Sequence, residues 1–509
     1  MTLLTKAISK TRYGMVMAKL FKSSHTLQCG RNLRSAVQLL AVVLMLASCM
    51  PVGPDYQTAE LDAPETWHTE LQGGLSPGPT DPKTLARWWD VLEDAQLSSL
   101  EERAVNGNLG LKDAQARINE ARAMRGISSA GLFPTLDATA AADKSRSSES
   151  GGTGNVKNQY AVGFDAGWEV DIFGGVRRSV EAAQANLEAT QENLLGVLVS
   201  LSAEVALNYL ELRTYQARLD TIEATIGALQ ETYEINLSRY QSGLISELPV
   251  QESLRLLESA RSRVPAFETG LEATKNRLAV LLGEFPGGLH EELAQRRQIP
   301  GLPATVLVGI PAETLRHRPD VRYAERNLAA QTARIGVAIA DLYPKFHLVG
   351  TLGLESITAG DLFQSSSQTW GIGPGVRWNI FDAGAIRQNI QVQNARQEQA
   401  LIYYEATLLR AQEEVENALV AYAKEQLSQE SIAKASAAAE QAELLANGQY
   451  QAGLVNYSNV LDAQRALLLL RDELVQSKGA VTANLVRLYK AFGGGWEPAQ
   501  LKANSGGKQ

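Results

Sequence analysis

The chain has 509 residues, 45% hydrophobic and 20% charged, with 48 basic and 56 acidic side chains. The first 48 positions carry seven basic residues (Lys6, Lys10, Arg12, Lys19, Lys22, Arg31 and Arg34) and no acid, so their removal leaves 48 − 7 = 41 basic residues and a net charge of 41 − 56 = −15. An acidic chain of this kind is a poor partner for nucleic acid, and its length fits two to four domains.

The start has the form of an export signal, residues 1–48. A basic region precedes an apolar run, Ala36 to Ala47, that is too short to span a bilayer. Translation from Met15 or Met17 would give the basic region an ordinary length. The run ends in Leu46-Ala47-Ser48-Cys49, which resembles the bacterial lipobox. Cys49 then becomes the lipidated first residue; the alternative is an ordinary signal with an incidental Cys. Met50, which is not Asp, follows it and is compatible with export to the outer membrane. Cys29 leaves with the signal, so the mature chain has no disulfide.

Residues 49–96 are rich in Pro and Gly and carry Trp67, Trp88 and Trp89. They read as an extended segment lying over a larger body. The spacing of Cys49-Met50-Pro51-Val52-Gly53-Pro54-Asp55-Tyr56 gives no mechanism by itself.

From Leu97 the chain repeats itself at an offset of 210 residues. Gly126 matches Gly336, Phe133-Pro134 matches Tyr343-Pro344, and Trp168 matches Trp378. Gly174 matches Gly384, Arg177 matches Arg387, Arg255 matches Arg465, and Gly283 matches Gly493. The units are 97–283 and 312–493, with a Pro/Gly-rich linker at 284–311 and a tail at 494–509.

Each unit reads helix, two strands, long helix, turn, helix. In the first, a helix over 97–130 stops at Phe133-Pro134. Strands follow at about 135–147 and 159–171. The second strand alternates: Tyr160, Val162, Phe164, Ala166, Trp168 and Val170 share a face opposite Asp165, Glu169 and Asp171. The second unit repeats this with Trp370, Ile372, Pro374, Val376 and Trp378 opposite Gly371, Gly373 and Gly375. Trp370 and Trp378 would lie about 26 Å apart along a strand. A soluble sandwich could show the same alternation. Strand length and aromatics near the ends favour a membrane barrel, with an acidic lumen lined by Asp165, Glu169 and Asp171. Four strands leave two unpaired edges, which hydrocarbon does not tolerate. Closure therefore requires two copies or more, and physics does not choose between two and three.

A helix over 176–240 would be about 98 Å long. Leu198, Val205, Leu212, Leu219, Ile226, Tyr233 and Tyr240 form a heptad seam, with Leu201, Tyr215, Ile222 and Leu229 between. Its return helix, 249–282, is half as long, with a kink expected near 261–265 at Pro265. The second unit has helices over 312–342, 384–450 and 459–492. Two short helices stacked end to end match one long helix. That puts the linker at mid-height, the strands at one end and the turns at the other. The turns are a pair: Tyr240-Gln241-Ser242-Gly243-Leu244 and Tyr450-Gln451-Ala452-Gly453-Leu454. Each Gly stands where a helix end needs a left-handed residue.

Val52-Gly53-Pro54-Asp55-Tyr56, Arg318-Pro319-Asp320-Val321, the paired Tyr-Gln-x-Gly-Leu turns and Leu461-Asp462-Ala463-Gln464-Arg465 together resemble the outer membrane efflux factor (TolC-like) family. The resemblance is specifically to its lipidated NodT-like branch and covers the whole mature chain. It implies a mainly helical homotrimer, with a twelve-stranded β-barrel continued by a twelve-helix coiled-coil α-barrel. It also implies a gated, passive conduit that docks a periplasmic adaptor and an inner-membrane transporter of the resistance-nodulation-division type. On this resemblance Tyr240, Gly243, Leu244, Tyr450, Gly453 and Leu454 are docking tips, beyond the plain helix-capping role of the two glycines. Asp462 would form a carboxylate ring at a periplasmic gate; the alternatives are a solvated helix-face Asp or a cap for the helix entering at Asn459. Ser458, one turn earlier, stands where relatives can carry a bulky aliphatic, which weakens any apolar constriction. Arg318-Pro319-Asp320 reads as the structural start of a helix.

No enzyme signature, cofactor or metal site emerges. The five His residues (His25, His68, His290, His317 and His347) form no ligand spacing, and Gly371-x-Gly373-x-Gly375 sits within a strand. The rival readings are a periplasmic adaptor and a structural coiled-coil lipoprotein. An adaptor has one hairpin within β-rich halves, and a structural lipoprotein does not need four amphipathic strands.

Overall fold

The structure, a computed structural model, describes residues 51–58, 64–79, 81–151 and 154–496. Cys49 and the signal lie outside the described residues, as does the tail beyond Trp496. In chain order the main elements are β1 (Leu75–Pro77), α1 (Pro82–Ala86), α2 (Ala95–Gly107), α3 (Leu109–Ala130), β2 (Thr135–Arg146), β3 (Val156–Val170), α4 (Gly175–Gln241), α5 (Leu248–Arg261) and α6 (Val264–Leu281). There follow β4 (Val306–Val308), α7 (Pro311–His317), α8 (Pro319–Ala340), β5 (Lys345–Ser356), β6 (Gln368–Arg377), α9 (Ala385–Gln451) and α10 (Tyr457–Ala491).

The helices form a layer one helix thick. Toward the sheet, α4 packs between α3 and α8, and α8 packs on α9. Toward the turns, α4 packs on α5, α6 and α10, and α10 packs on α9. α4 and α9, 67 residues each, run the full height, about 100 Å. The heptad seam explains α4: Leu198, Leu201, Val205, Leu212, Leu219, Ile222 and Leu229 are buried, while Tyr240 emerges at the end. α4 is the one described helix apolar enough to cross a membrane, and it is instead the buried centre of this layer. α9 buries far less. Ile402, Tyr403, Leu409, Leu427, Leu444 and Leu445 remain exposed along it.

Two expected helices are each divided. The 97–130 helix breaks at Asn108, and the 312–342 helix breaks at Arg318, its counterpart 210 residues on. Both residues are extended, with ψ of 127°. Pro319 forces this on Arg318. Asn108 does it by capping, accepting from the Leu111 N–H. The break serves one contact in both units. Asn108 Nδ2 donates to the Leu281 carbonyl at 2.8 Å, and Arg318 Nη1 donates to the Ala491 carbonyl at 2.6 Å. Leu281 and Ala491 are again 210 apart. A Cβ on Gly107 would overlap the Leu282 carbonyl, so this crossing accepts only glycine there. The expected kink at Pro265 takes the form of two helices, because α5 ends at Arg261 and Pro265 opens α6.

The segment before α2 is less extended than expected. It contains β1, paired in parallel with β4 of the linker, then α1 and a 3-10 turn at Trp88–Leu92. Glu416 of α9 accepts from the His68 and Thr69 N–H groups at 2.7 and 3.0 Å and from the Thr69 hydroxyl. Trp67 Nε1 donates to the Gly309 carbonyl at 2.7 Å. Trp88 stacks on Tyr489 at 5.7 Å. This belt closes the largest core, which gathers Leu97, Leu100, Val205, Leu212, Leu278, Leu289, Val306, Leu419, Leu485 and Leu488 at mid-height.

Candidate functional site

At one end the four long strands form an antiparallel sheet in the order β2-β3-β5-β6. The register sets Phe164 beside Leu352 and Leu352 beside Trp370; it also sets Trp168 beside Leu348. One face therefore presents Leu136, Phe164, Trp168, Leu348, Leu352, Trp370, Ile372 and Val376, all exposed. Trp370 is 75% exposed, an arrangement an aqueous surface does not favour. The opposite face carries Asp137, Thr139, Asp165, Glu169, His347, Thr351, Glu355 and Arg377. β2 and β6 are the unpaired edges. The two units are welded where Gly163 pairs with Gly353; a Cβ on Gly163 would sit 2.9 Å from the Leu352 carbonyl oxygen.

The junction between sheet and helices is also duplicated. Trp168 Nε1 donates to the Leu132 carbonyl and Trp378 Nε1 to the Leu342 carbonyl, each at 3.0 Å. Asp171 does not belong to an acidic lumen. Its carboxylate accepts from the Val176 and Arg177 N–H groups and pairs with the Arg177 side chain, so it caps α4. Asp382 does the same for α9 through Gly384 and Ile386.

Here too lies the explanation for Val52-Gly53-Pro54-Asp55-Tyr56. The Val52 N–H donates to the Phe173 carbonyl at 3.0 Å. The buried Arg178 guanidinium donates to the carbonyls of Val52 and Gly53, to Asp55 at 2.7 Å and to Glu181 at 2.7 Å. Gly53, at φ +92°, crosses Gly336 so closely that a Cβ would sit 2.5 Å from the Gly336 Cα. The Tyr56 hydroxyl donates to Glu325 at 2.9 Å, and Arg326 lies over the Tyr56 ring. The motif is a strap across α4 and α8. Backbone carbonyls and a glycine crossing, as well as the Asp55 and Tyr56 side chains, make it, and its partners lie more than a hundred residues away, which is why local spacing gave no sign of it.

At the other end both turns have one geometry. Gly243 (φ +70°) donates to the Tyr240 carbonyl and Leu244 to the Arg239 carbonyl, each at 2.9 Å. Gly453 (φ +75°) donates to Tyr450 at 3.0 Å and Leu454 to Gln449 at 2.9 Å. These are paired Schellman closures. A Cβ on either glycine would meet no heavy atom of the described residues within 4 Å, and Leu244 and Leu454 are 70% and 75% exposed. The tips differ in their aromatics. Tyr240 is exposed, whereas Tyr450 packs on Tyr457 at 5.3 Å, and Arg239 of the first tip lies 5.2 Å from the Tyr450 ring centre. Burial pushes the Tyr457 phenol up to about 12.

α10 begins at Tyr457, two residues before the expected Asn459, so Asp462 is its sixth residue and does not cap it. Asp462 is exposed, as is Ser458 one turn before it, and its carboxylate lies 3.6 Å from Arg465 one turn on. Arg318 starts α8 as expected and pairs with Asp320 at 2.9 Å and Glu414 at 2.6 Å. Among the described residues no group of three or more His, Cys, Asp or Glu could hold a metal.

A twice-repeated long hairpin joined to an amphipathic, open-edged antiparallel sheet defines a channel protomer with a membrane end and a helical end. The outer membrane efflux protein family model matches residues 100–284 and 310–494, and the chain belongs to that family. It is 31% identical over 466 residues to the toluene efflux pump outer membrane protein TtgI of Pseudomonas putida, covering 90% of this chain and 98% of that one. It is 29% identical to nodulation protein T of Rhizobium leguminosarum bv. trifolii, over 89% and 96%. Among solved structures, the outer-membrane channel OprN superposes with a TM-score of 0.79 at 32% identity, over 88% of this chain and all of that one. CusC gives 0.78 at 27%, with the same coverage. The protein is an outer-membrane efflux channel component of the TolC-like type, and its family is one of channels and not of enzymes.

Proposed function

We propose that three copies close into a twelve-stranded barrel in the outer membrane, continued by a twelve-helix tunnel in the periplasm. The tunnel carries substrate passively from a periplasmic adaptor and an inner-membrane transporter of the resistance-nodulation-division type. The observation that carries this reading is the matched incompleteness of both layers. The sheet ends in free edges at β2 and β6, and the helical layer ends at the exposed apolar side of α9. Hydrocarbon forbids the first and water disfavours the second, and further copies relieve both. Lipid on Cys49 would supplement the inserted barrel. The strap that begins at Pro51 fixes the described chain at the foot of the sheet, on Phe173 and Gly174.

The tips supply the docking surface. Leu244 and Leu454 are bare apolar side chains on rigid turns, suited to an adaptor hairpin. The gate falls at the second tip, where Ser458 and Asp462 share an exposed helix face. Carboxylates brought near an axis would repel one another and attract cations. Purified protein in planar bilayers, with its oligomeric mass, tests the assembly: trimers that conduct support it, and a monomer without conductance refutes it. Asp462→Ala should raise conductance and relieve block by multivalent cations; unchanged values would rule out the carboxylate ring.

A further inference from the structure

The equatorial core contains an acid that none of the channel chemistry uses. Glu101, on α2, is 0% exposed, among Leu97, Leu100 and Ala104 of the same helix. The Ser202 hydroxyl of α4 faces it, and neither group makes a well-formed hydrogen bond among the described residues. The Trp88 indole N–H is likewise buried and unpartnered. Trp88 and Ser202 meet at Gly495, where a Cβ would lie 3.4 Å from Trp88 Nε1 and 3.5 Å from Ser202 Oγ. The belt, α2, α4 and the segment just after α10 therefore bring buried polar groups together, and among the described residues no cation faces them.

The surrounding charges are already committed elsewhere. Asp94 caps α2 and accepts from the Tyr209 hydroxyl at 2.6 Å. Arg213 is held by Tyr209, Gln96, Gln216 and the Gln295 carbonyl. The neighbouring helix residues Glu102 and Arg103 pair with Arg87, Glu284 and Glu292 at the surface. The titratable groups of α10 and α9 in this core, Tyr489 and Tyr422, are phenols that burial keeps neutral. Only the Ser202 hydroxyl, and no charged group, opposes the cost of a carboxylate here.

We infer that Glu101 is a proton-holding residue, a neutral carboxylic acid at neutral pH that makes the packing of α2 on α4 favoured by acid. Burial, opposed only by Ser202, raises its pKa well above the ordinary 4.5. The sign follows. Unfolding exposes the acid, which then releases its proton at any pH above its ordinary value. Stability is therefore full at low pH and declines from about pH 4.5 upward until the raised folded value is passed. One proton corresponds to about a tenfold change in the folding equilibrium per pH unit in that window.

The test is denaturation of the full, detergent-solubilised channel from pH 5 to 8, comparing wild type with Glu101→Gln and Glu101→Leu. The expected result is a wild-type decline with pH that is shallower by about tenfold per unit in both variants. Identical pH dependence in wild type and variants overturns the proposal. Infrared spectra of the wild type keep it falsifiable should both variants misfold. A protonated-carboxyl band must be present at pH 7 and respond as a fully buried group that exchanges slowly in heavy water; its absence refutes the assignment.

Discussion

Removing Arg318 should be among the most destabilising single changes outside the apolar core. In Arg318→Ala the Ala491 carbonyl, at the end of α10, loses a buried donor at 2.6 Å. A hydrogen bond from a charged group contributes about 1.5–3 kcal/mol. The ion pairs to Asp320 and Glu414 add little, because both carboxylates are nearly half exposed and each such pair contributes about 0.2–1 kcal/mol. The expected cost is about 3 kcal/mol. Its counterpart Asn108→Ala should cost about 2 kcal/mol, from one neutral bond to the Leu281 carbonyl and one helix cap. Arg318→Met, which keeps the apolar stem, separates lost packing from lost donors. The assay is urea unfolding in detergent followed by helical circular dichroism, with stability taken from the linear dependence on denaturant. Arg318→Ala within about 0.5 kcal/mol of wild type would refute the reasoning, since that is the range of an ordinary surface substitution.

Gly243→Val or Gly453→Val should cost about 1–2 kcal/mol at the turn, because a branched residue is forced into the left-handed region; efflux complementation should be lost while the oligomer survives on a native gel. At Glu416 burial raises the carboxyl pKa, but the Thr69 hydroxyl and the His68 and Thr69 N–H groups outweigh it and hold it below the usual value. The stability it lends is present above the unfolded pKa and lost as pH falls through the folded one. Limited proteolysis should therefore cut the wild-type belt near residues 67–71 faster in acid, and Glu416→Gln should be cut readily at neutral pH.

Much of the architecture was legible because the chain states it twice. An offset of 210 residues placed both turns, all four long strands and both tall helices within a few residues. The amphipathic strand faces could be read before any register was known. What escaped was what periodicity does not encode. Asn108 looks like one polar residue in a helical run, and only its contact with the Leu281 carbonyl gives it a reason to break that run. The Pro51–Tyr56 strap is held through carbonyls, a Gly53–Gly336 crossing and Asp55 and Tyr56 contacts to Arg178 and Glu325, partners that lie too far along the chain for local spacing to reveal. Asp171 continues the sequence alternation of Asp165 and Glu169, yet β3 ends at Val170 and the start of α4 claims the Asp171 carboxylate. At the gate, the chain names Ser458 and Asp462 and sets them on one exposed face, while the ring they would form belongs to several chains at once.

The unlike edges have a consequence for mixtures. β2 and β6 differ in length and composition, as do the α3 and α9 borders, so in the proposed ring copies would join head to tail. A chain spoiled at one border still offers a sound border at the other. It can therefore enter a growing ring and stop it from closing. In a cell making good and bad copies together, the fraction of working channels then falls as the cube of the good fraction for a ring of three, so loss at one border behaves genetically as a dominant trait.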